Sequence, residues 1–258
     1  MNNHNSNLGG NGIIVVAGSN GYVGQVLCGE LRSSRVEHFQ LPPFRTMSST
    51  DISKATPPGF ITLINCAGKT PSPNAADNTN FAKENMDSLE RLLNAYKSRL
   101  NSVIHFSTAH LNILELESNY FKSKVGSELL ILEHQKEIQF EANILRLPSL
   151  WSRRALKKGS LLHDIVLSDF SLRNLQVRNP KIKISVTTDF QLSCLVNQIL
   201  KGMKVHRDFN FDNSWNGELD EFLDLILLSK SNSELPVIIR EIQDLIDFLK
   251  SSRTFTLL

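Results

Sequence analysis

Apolar positions along this chain change period from one segment to the next. Ile13 to Ala17 is a compact β-branched run ending at glycine, as expected for a strand buried in a parallel sheet. Gly18 to Gly24 reads as a turn, and Tyr22 to Leu31 then repeats apolar residues at helical spacing. Val36 to Leu41 predicts a second strand, cut short by Pro42 and Pro43. Residues 44–59 are turn-rich and carry no pattern. Phe60 to Cys66 is the next buried strand. Phe81 to Leu100 sets Met86, Leu89, Leu92, Leu93 and Tyr96 at helical spacing. Val103 to Phe106 predicts a strand, Ser118 to about Lys136 a helix, and Glu141 to Leu147 a strand. This alternation predicts an α/β fold, a Rossmann-like doubly wound parallel sheet.

The texture changes after Pro148. "WSRRALKKG" is a basic loop, Leu161 to Phe170 a short helix, Lys181 to Val186 a strand, and Asp189 to Lys201 an amphipathic segment. Two further helices are predicted over 218–230 and 234–250. Residues 12–150 therefore read as the dinucleotide-binding core, and 151–258 as a small C-terminal substrate-binding cap interwoven with it. Residues 1–11 are polar and read as a disordered lead-in.

Composition narrows the classes. A chain of 258 residues can bury a sizeable core, and 41% hydrophobic with 21% charged residues is ordinary for a soluble globular protein. A formal charge of +2 gives no reason to expect nucleic acid or a membrane surface as partner. The three cysteines, Cys28, Cys66 and Cys194, lack metal-ligand spacing and read as reduced thiols, so no metal is expected. The N-terminus lacks the layout of a signal peptide, and the longest apolar runs are too short to span a bilayer. The expected location is the cytoplasm.

"GSNGYVG" places Gly18, Gly21 and Gly24 between a predicted strand and a predicted helix. In that context small residues let the backbone approach a pyrophosphate, and the helix N-terminus supplies N–H donors. Ser19, Asn20, Tyr22 and Val23 complete the segment. A tight strand-to-helix turn with no ligand gives the same spelling, and the spacing is GxxGxxG, not GxGxxG. The region where an acidic residue would meet an adenosine ribose reads "FQLPPFR", with no carboxylate at the strand end. Arg45 follows and suits a 2′-phosphate, which favours NADP(H) over NAD(H).

Tyr120 and Lys124 lie one helical turn apart, with Thr108 upstream. A free tyrosine has a pKa of about 10, too high for a base near neutrality, and a lysine on the same helical face favours the phenolate. An exposed helix edge would carry the same two residues, and the glycine turn and Thr108 set the two readings apart. His105 reads as a structural strand histidine; His110, two residues past Thr108, as a substrate contact.

Five segments in this order resemble the extended branch of the short-chain dehydrogenase/reductase superfamily. They are "GSNGYVG" at 18–24, "NCAG" at 65–68, Asn85, "HFSTAH" at 105–110 and "YFKSK" at 120–124, with "ILRLPSLW" at 144–151 a weaker sixth. The pattern is similar to dTDP-4-dehydrorhamnose reductases and sugar-nucleotide epimerases. The resemblance implies that Tyr120 is the acid/base at a carbinol oxygen, that Lys124 holds the nicotinamide ribose and lowers the tyrosine pKa, and that Thr108 bonds the same substrate oxygen. Ser107 is its fallback. It further implies that Asn85 supports the lysine through a helix irregularity or a water. Asn65, Cys66, Ala67 and Gly68 would line the adenosine side, with Leu147, Pro148 and Ser149 near the carboxamide. A homodimer through the helices at 81–100 and 118–137 is implied as well.

The chain also departs from that pattern. Dehydratases of the branch place Asp and Glu after the threonine, and here Ala109 and His110 follow. Eleven residues separate Thr108 from Tyr120, little room for the usual substrate-covering insertion. Arg153, Arg154, Lys157 and Lys158, with Arg173 and Arg178 weaker, suit the phosphates of a nucleotide sugar, and a solvated surface loop suits them equally. The expected activity is reduction of a keto group on a nucleotide-linked deoxysugar. The alternatives are an epimerase of such substrates, a reductase of a small natural-product intermediate, and a non-catalytic NAD(P)-binding sensor or scaffold.

Overall fold

The computed structural model describes residues 12–69, 81–109, 119–156, 161–167, 183–205, 214–227, 235–251 and 256–257. Among these the chain runs through β1 (Gly12–Ala17), α1 (Tyr22–Ser33), β2 (Phe39–Gln40), α2 (Ser49–Ala55), β3 (Phe60–Asn65), α3 (Phe81–Tyr96), β4 (Leu100–Thr108), α4 (Asn119–Glu137) and β5 (Glu141–Leu147). It continues through β6 (Ser149–Trp151), β7 (Ala155–Leu156), α5 (Leu161–Leu167), β8 (Lys183–Thr188), α6 (Asp189–Leu200), β9 (Trp215–Glu218), α7 (Leu219–Leu227), α8 (Val237–Ser251) and β10 (Thr256–Leu257).

Five parallel strands form the central sheet in the order β2-β1-β3-β4-β5. Strand order reverses between β1 and β3, which opens the crevice where doubly wound sheets bind ligands. Val16 pairs with Ile64 and Ala17 with Asn65, so the glycine turn and the loop after β3 leave the sheet at one level. Alternate strand residues serve two cores. Val16, Ile64, Ile104 and Leu145 pack with residues of α1 and α6; Val15, Leu63, Val103 and Ile144 pack with α3 and Ile131 of α4. Burial on both faces is why consecutive apolar residues such as Val15–Val16, Leu63–Ile64, Val103–Ile104 and Ile144–Leu145 recur at the centre of each strand.

Two expectations need correction. The strand expected over Val36 to Leu41 is two residues long: Phe39 and Gln40 pair with Val15 and Val16 before the two prolines end it. The region 44–59, expected to be turn-rich and poorly patterned, holds α2. Its N-terminus is closed by a capping box in which Asp51 N–H donates to Ser48 Oγ and Ser48 N–H to Asp51 Oδ2, and Ile52 is its buried anchor.

After β5 the chain builds a three-stranded sheet in the order β6-β8-β9. Its own core gathers Trp151, Phe222, Ile239 and Ile242, with Trp151 edge-on to Phe222 at 5.4 Å. α6 instead packs in the α1 core, so the C-terminal part shares a core with the main sheet. Among the described residues no helix is long and apolar enough to cross a membrane, and no group of His, Cys, Asp and Glu could hold a metal ion.

Candidate active site

The glycine turn is fixed by contacts only glycine permits. Gly18 has φ +80, in the left-handed region, and a Cβ there would stand 2.5 Å from the Ala67 nitrogen. A Cβ on Gly24 would overlap the Gly18 carbonyl oxygen. Gly21 differs. It caps α1 with φ −79 and no side-chain hydrogen bond, and its N–H donates to Gly18 O at 3.0 Å. The first turn of α1 has neither an acidic side chain nor a side-chain cap, so its N–H groups suit a phosphate.

Ser19 is buried and Asn20 exposed, with Asn20 O accepting from Gln25 Nε2. Val23 packs into the α1 core. Tyr22 points away from the turn: its hydroxyl donates to Leu150 O at 3.0 Å and ties α1 to β6. Burial, chiefly, holds its pKa well above the usual phenol value.

The loop after β3 packs against this turn. Cys66 N–H donates to Ala17 O, and burial raises the Cys66 thiol pKa strongly. A Cβ on Gly68 would meet Lys124 Nζ at 3.4 Å, so the loop and the lysine are neighbours. Asn85 clamps the loop. Its Oδ1 accepts Lys69 N–H at 2.7 Å, and its Nδ2 donates to Lys69 O and to Ser123 Oγ. Asn85 thus bridges the loop to α4 directly, with no helix irregularity in α3 or α4.

Lys124 is buried and donates from Nζ to the Phe106 carbonyl at 3.0 Å, joining α4 to β4. Nζ lies 5.8 Å from the Tyr120 ring centroid, over the ring. Burial lowers the lysine pKa to about 8, against the nearby Cys66 and Glu128. Tyr120 moves the other way from the expectation, to about 12, because burial removes the solvation of the phenolate. The ammonium is spent on a carbonyl and on the ring face. Thr108 ends β4, buried, in register with Leu147, and the buried Pro148 and the half-buried Ser149 follow Leu147 directly. Ser107 is also buried, and its Oγ has no hydrogen-bond partner among the described residues. Thr108, Tyr120, Lys124, Asn85 and Gly68 therefore converge at the carboxyl end of β4.

Arg45 is exposed beyond β2, where Gln40 and Leu41 stand with no carboxylate. Glu84 of α3 lies 3.8 Å from Arg45 and 3.2 Å from Lys69, so one carboxylate faces two cations. The basic loop after β6 turns along α1. Arg154 Nε pairs with Glu30 and Nη2 donates to Ser33 at 2.8 Å, both in the C-terminal half of α1 and away from the glycine turn. Arg153 lies over the Phe248 ring at 5.7 Å, while its N–H donates to Asp189. Both arginines line a cavity of about 650 Å³ with Glu30, Asp189, Glu241 and Phe190. His110, Lys157, Lys158, Arg173 and Arg178 lie outside the described residues, as does the 1–11 segment.

Ser123, Lys69 and Glu84 were not singled out by the sequence. Ser123 links Asn85 to the Tyr120 carbonyl, which its Oγ reaches at 2.7 Å. Its position three residues after Tyr120 was the signal available.

No family model matches the chain, and no curated protein matches it in sequence. Solved structures match in fold. The capsular polysaccharide assembling protein CapF from Staphylococcus aureus has a TM-score of 0.63 at 18% identity, over 95% of this chain and 68% of that one. TunA, a NAD-dependent NDP-hexosamine 5,6-dehydratase involved in tunicamycin biosynthesis, gives 0.66 at 15% identity, over 93% and 98%. UDP-glucuronic acid 4-epimerase from Bacillus cereus, in complex with NAD, gives 0.64 at 13% identity, over 92% and 96%. The Rossmann-like fold of this chain is the one these proteins share.

Proposed function

We propose that the chain belongs to the extended short-chain dehydrogenase/reductase superfamily and is an NAD(P)-dependent oxidoreductase that reduces a keto group of a nucleotide-linked sugar. The observation that carries this reading is the position of Lys124, buried between the Phe106 carbonyl, the Tyr120 ring and Gly68 of the loop that packs on the glycine turn.

The fit to a dinucleotide rests on the uncapped start of α1 and on the close packing of Gly18 and Gly24 beneath it. Gly18 to Gly24 would hold the pyrophosphate, and Asn65 to Gly68 would wall the adenosine side. Leu147, Pro148 and Ser149 would border the carboxamide. Lys124 would bind the nicotinamide ribose hydroxyls, in reach because Asn85 and Ser123 fix the loop and helix on either side of it. The cofactor supplies the hydride when bound. Tyr120 would donate its proton to the carbonyl oxygen as that oxygen gains charge, and Thr108, with Ser107 beside it in the strand, would hold the same oxygen.

Exposed Arg45 and the lack of a carboxylate at the end of β2 favour NADP(H). A homodimer through α3 and α4 goes with the same reading, as do phosphate contacts from the basic loop at 153–157. The second reading is an epimerase using the same residues, favoured by the UDP-glucuronic acid 4-epimerase among the fold neighbours.

The test is to incubate the protein with NADPH or NADH and a panel of UDP- and dTDP-linked keto-sugars, and separately with NADP+ or NAD+ and the corresponding UDP- and dTDP-linked hexoses, measuring product and cofactor redox state together. One-to-one loss of NADPH with product supports the reductase. Product without net consumption favours the epimerase, and cofactor binding without turnover of any sugar favours the sensor. The Tyr120→Phe variant is expected to bind cofactor as tightly as the parent and to lose turnover. A fully active variant would remove Tyr120 from the chemistry.

A further inference from the structure

Asn65 and His105 face each other in the register of β3 and β4, joined by a buried 3.0 Å hydrogen bond. Its direction follows from bonding capacity. Asn65 Oδ1 accepts the Ala67 N–H at 3.1 Å, so the group turned to His105 is the amide NH2, which can only donate. His105 Nδ1 must then accept, and the ring proton sits on Nε2. That N–H has no hydrogen-bond partner among the described residues, although His105 is only 2% exposed.

The residue after His105 is Phe106, whose carbonyl takes the Lys124 ammonium. Through the Asn65 bond, the imidazole ties β4 to the last residue of β3 one peptide before that carbonyl. The charge of Lys124 also helps to lower the His105 pKa. We infer that His105 is a positioning residue for Lys124: bonded to Asn65 as the Nε2–H tautomer, it fixes the Phe106 carbonyl that stabilises the ammonium.

The other groups around the lysine are few. α4 contributes Tyr120 and Glu128, the loop after β3 contributes Cys66, and Arg146 of β5 is held by Glu128. α3 presents Asn85, which does not titrate, while its Glu84 is engaged by Arg45 and Lys69. β5 holds Phe106 from one side through its pairing with Leu145, and on the β3 side the register ends at Asn65 and His105, so their bond is the last tie before the carbonyl and loosening it acts on the lysine.

The ribose role of Lys124 rests on the function proposed above, but its coupling to His105 can be read without cofactor or substrate. The full-length protein is acylated briefly with acetic anhydride across pH 6–10, and modification of the Lys124 peptide is followed by mass spectrometry. With the carbonyl loosened the ammonium loses support. In His105→Phe and in Asn65→Ala the labelling midpoint is expected to fall by about half a pH unit, or about threefold more labelling at pH 7. His105→Gln, which keeps a polar partner for Asn65, is expected to stay near the parent curve. Labelling curves of His105→Phe and Asn65→Ala that superpose on the parent, with cooperative thermal melts, overturn the inference. If one of the two does not melt cooperatively, the other decides. Failure of the parent to bind NADH or NADPH would remove the oxidoreductase reading and leave these curves unchanged.

Discussion

Lys124 Nζ reaches across from α4 to the backbone carbonyl of Phe106 in β4 at 3.0 Å, and burying the ammonium there costs the fold stability. Burial lowers the lysine pKa from 10.5 to about 8. Holding the proton at neutral pH therefore costs about 3 kcal/mol, against which the carbonyl bond returns about 1. Lys124→Met is accordingly expected to be more stable than the parent by about 2 kcal/mol at pH 7 and to lose turnover. The unfolded chain keeps the lysine proton to about pH 10, while the folded chain releases it near pH 8. The parent's penalty is full below pH 8 and gone above about 10.5, so the advantage of methionine should fade over that window. Urea unfolding at pH 7 and pH 10 checks it, and a Met variant less stable at pH 7 would contradict it.

The glycine turn separates folding from binding. Gly18→Ala forces a side chain into φ +80 and against the Ala67 nitrogen, so a loss of about 2 kcal/mol or more is expected. Gly21→Ala has ordinary backbone angles and meets only Gly18 O at 3.4 Å, so its stability should stay within about 1 kcal/mol of the parent. Its methyl nevertheless stands at the N-cap of α1, where a pyrophosphate would approach. NADPH binding followed by fluorescence should weaken at least tenfold in a normally folded Gly21→Ala protein. Tight binding by that variant would put the phosphates elsewhere.

How much of this was legible in the sequence depends on how local each cause is. The sheet could be read because the central strands serve two cores and so carry apolar runs, unbroken in Ile13 to Ala17 and interrupted only by Thr62 in Phe60 to Ile64. α2 was missed because a single apolar residue, Ile52, anchors it. Its signal was the capping box, with Ser48 and Asp51 three apart in a region otherwise lacking period. β6 and β9 are short and gain their pairing only from β8, more than thirty residues beyond β6. In the site, the spacing of Tyr120 and Lys124 is helical and readable. The Arg154 tie to Glu30 spans 124 positions, and nothing near either residue announces it. The tyrosine's raised pKa was equally hidden, since it follows from burial and not from the lysine's charge.

Glu128 and Arg146 form a two-pronged pair between α4 and β5, at 3.0 and 2.9 Å, with the carboxylate side chain 3% exposed. Removing one charge leaves the other buried without its counter-ion. Glu128→Gln is expected to lower stability by about 3 kcal/mol, and a loss below 1 kcal/mol in chemical denaturation would contradict this. Because Glu128 also raises the Lys124 pKa, the same substitution should move the lysine's labelling midpoint further down.

His105 gives the fold a specific acid sensitivity. Burial first, and the charge of Lys124 second, lower its pKa from 6.5 to about 3. The unfolded chain takes up this proton near pH 6.5 and the folded chain resists it until about pH 3. The residue therefore contributes stability that is whole above pH 6.5 and is lost as the pH falls towards 3. The loss is about 2 kcal/mol by pH 5 and on the order of 5 kcal/mol over the full window. His105→Gln has no proton to gain there. Its unfolding free energy should fall less steeply than the parent's between pH 7 and pH 5, by about 2 kcal/mol, above the range where most carboxylates titrate. Parallel curves for parent and variant over that interval would mean that the folded chain takes up the His105 proton as readily as the unfolded one, against the burial beside Asn65.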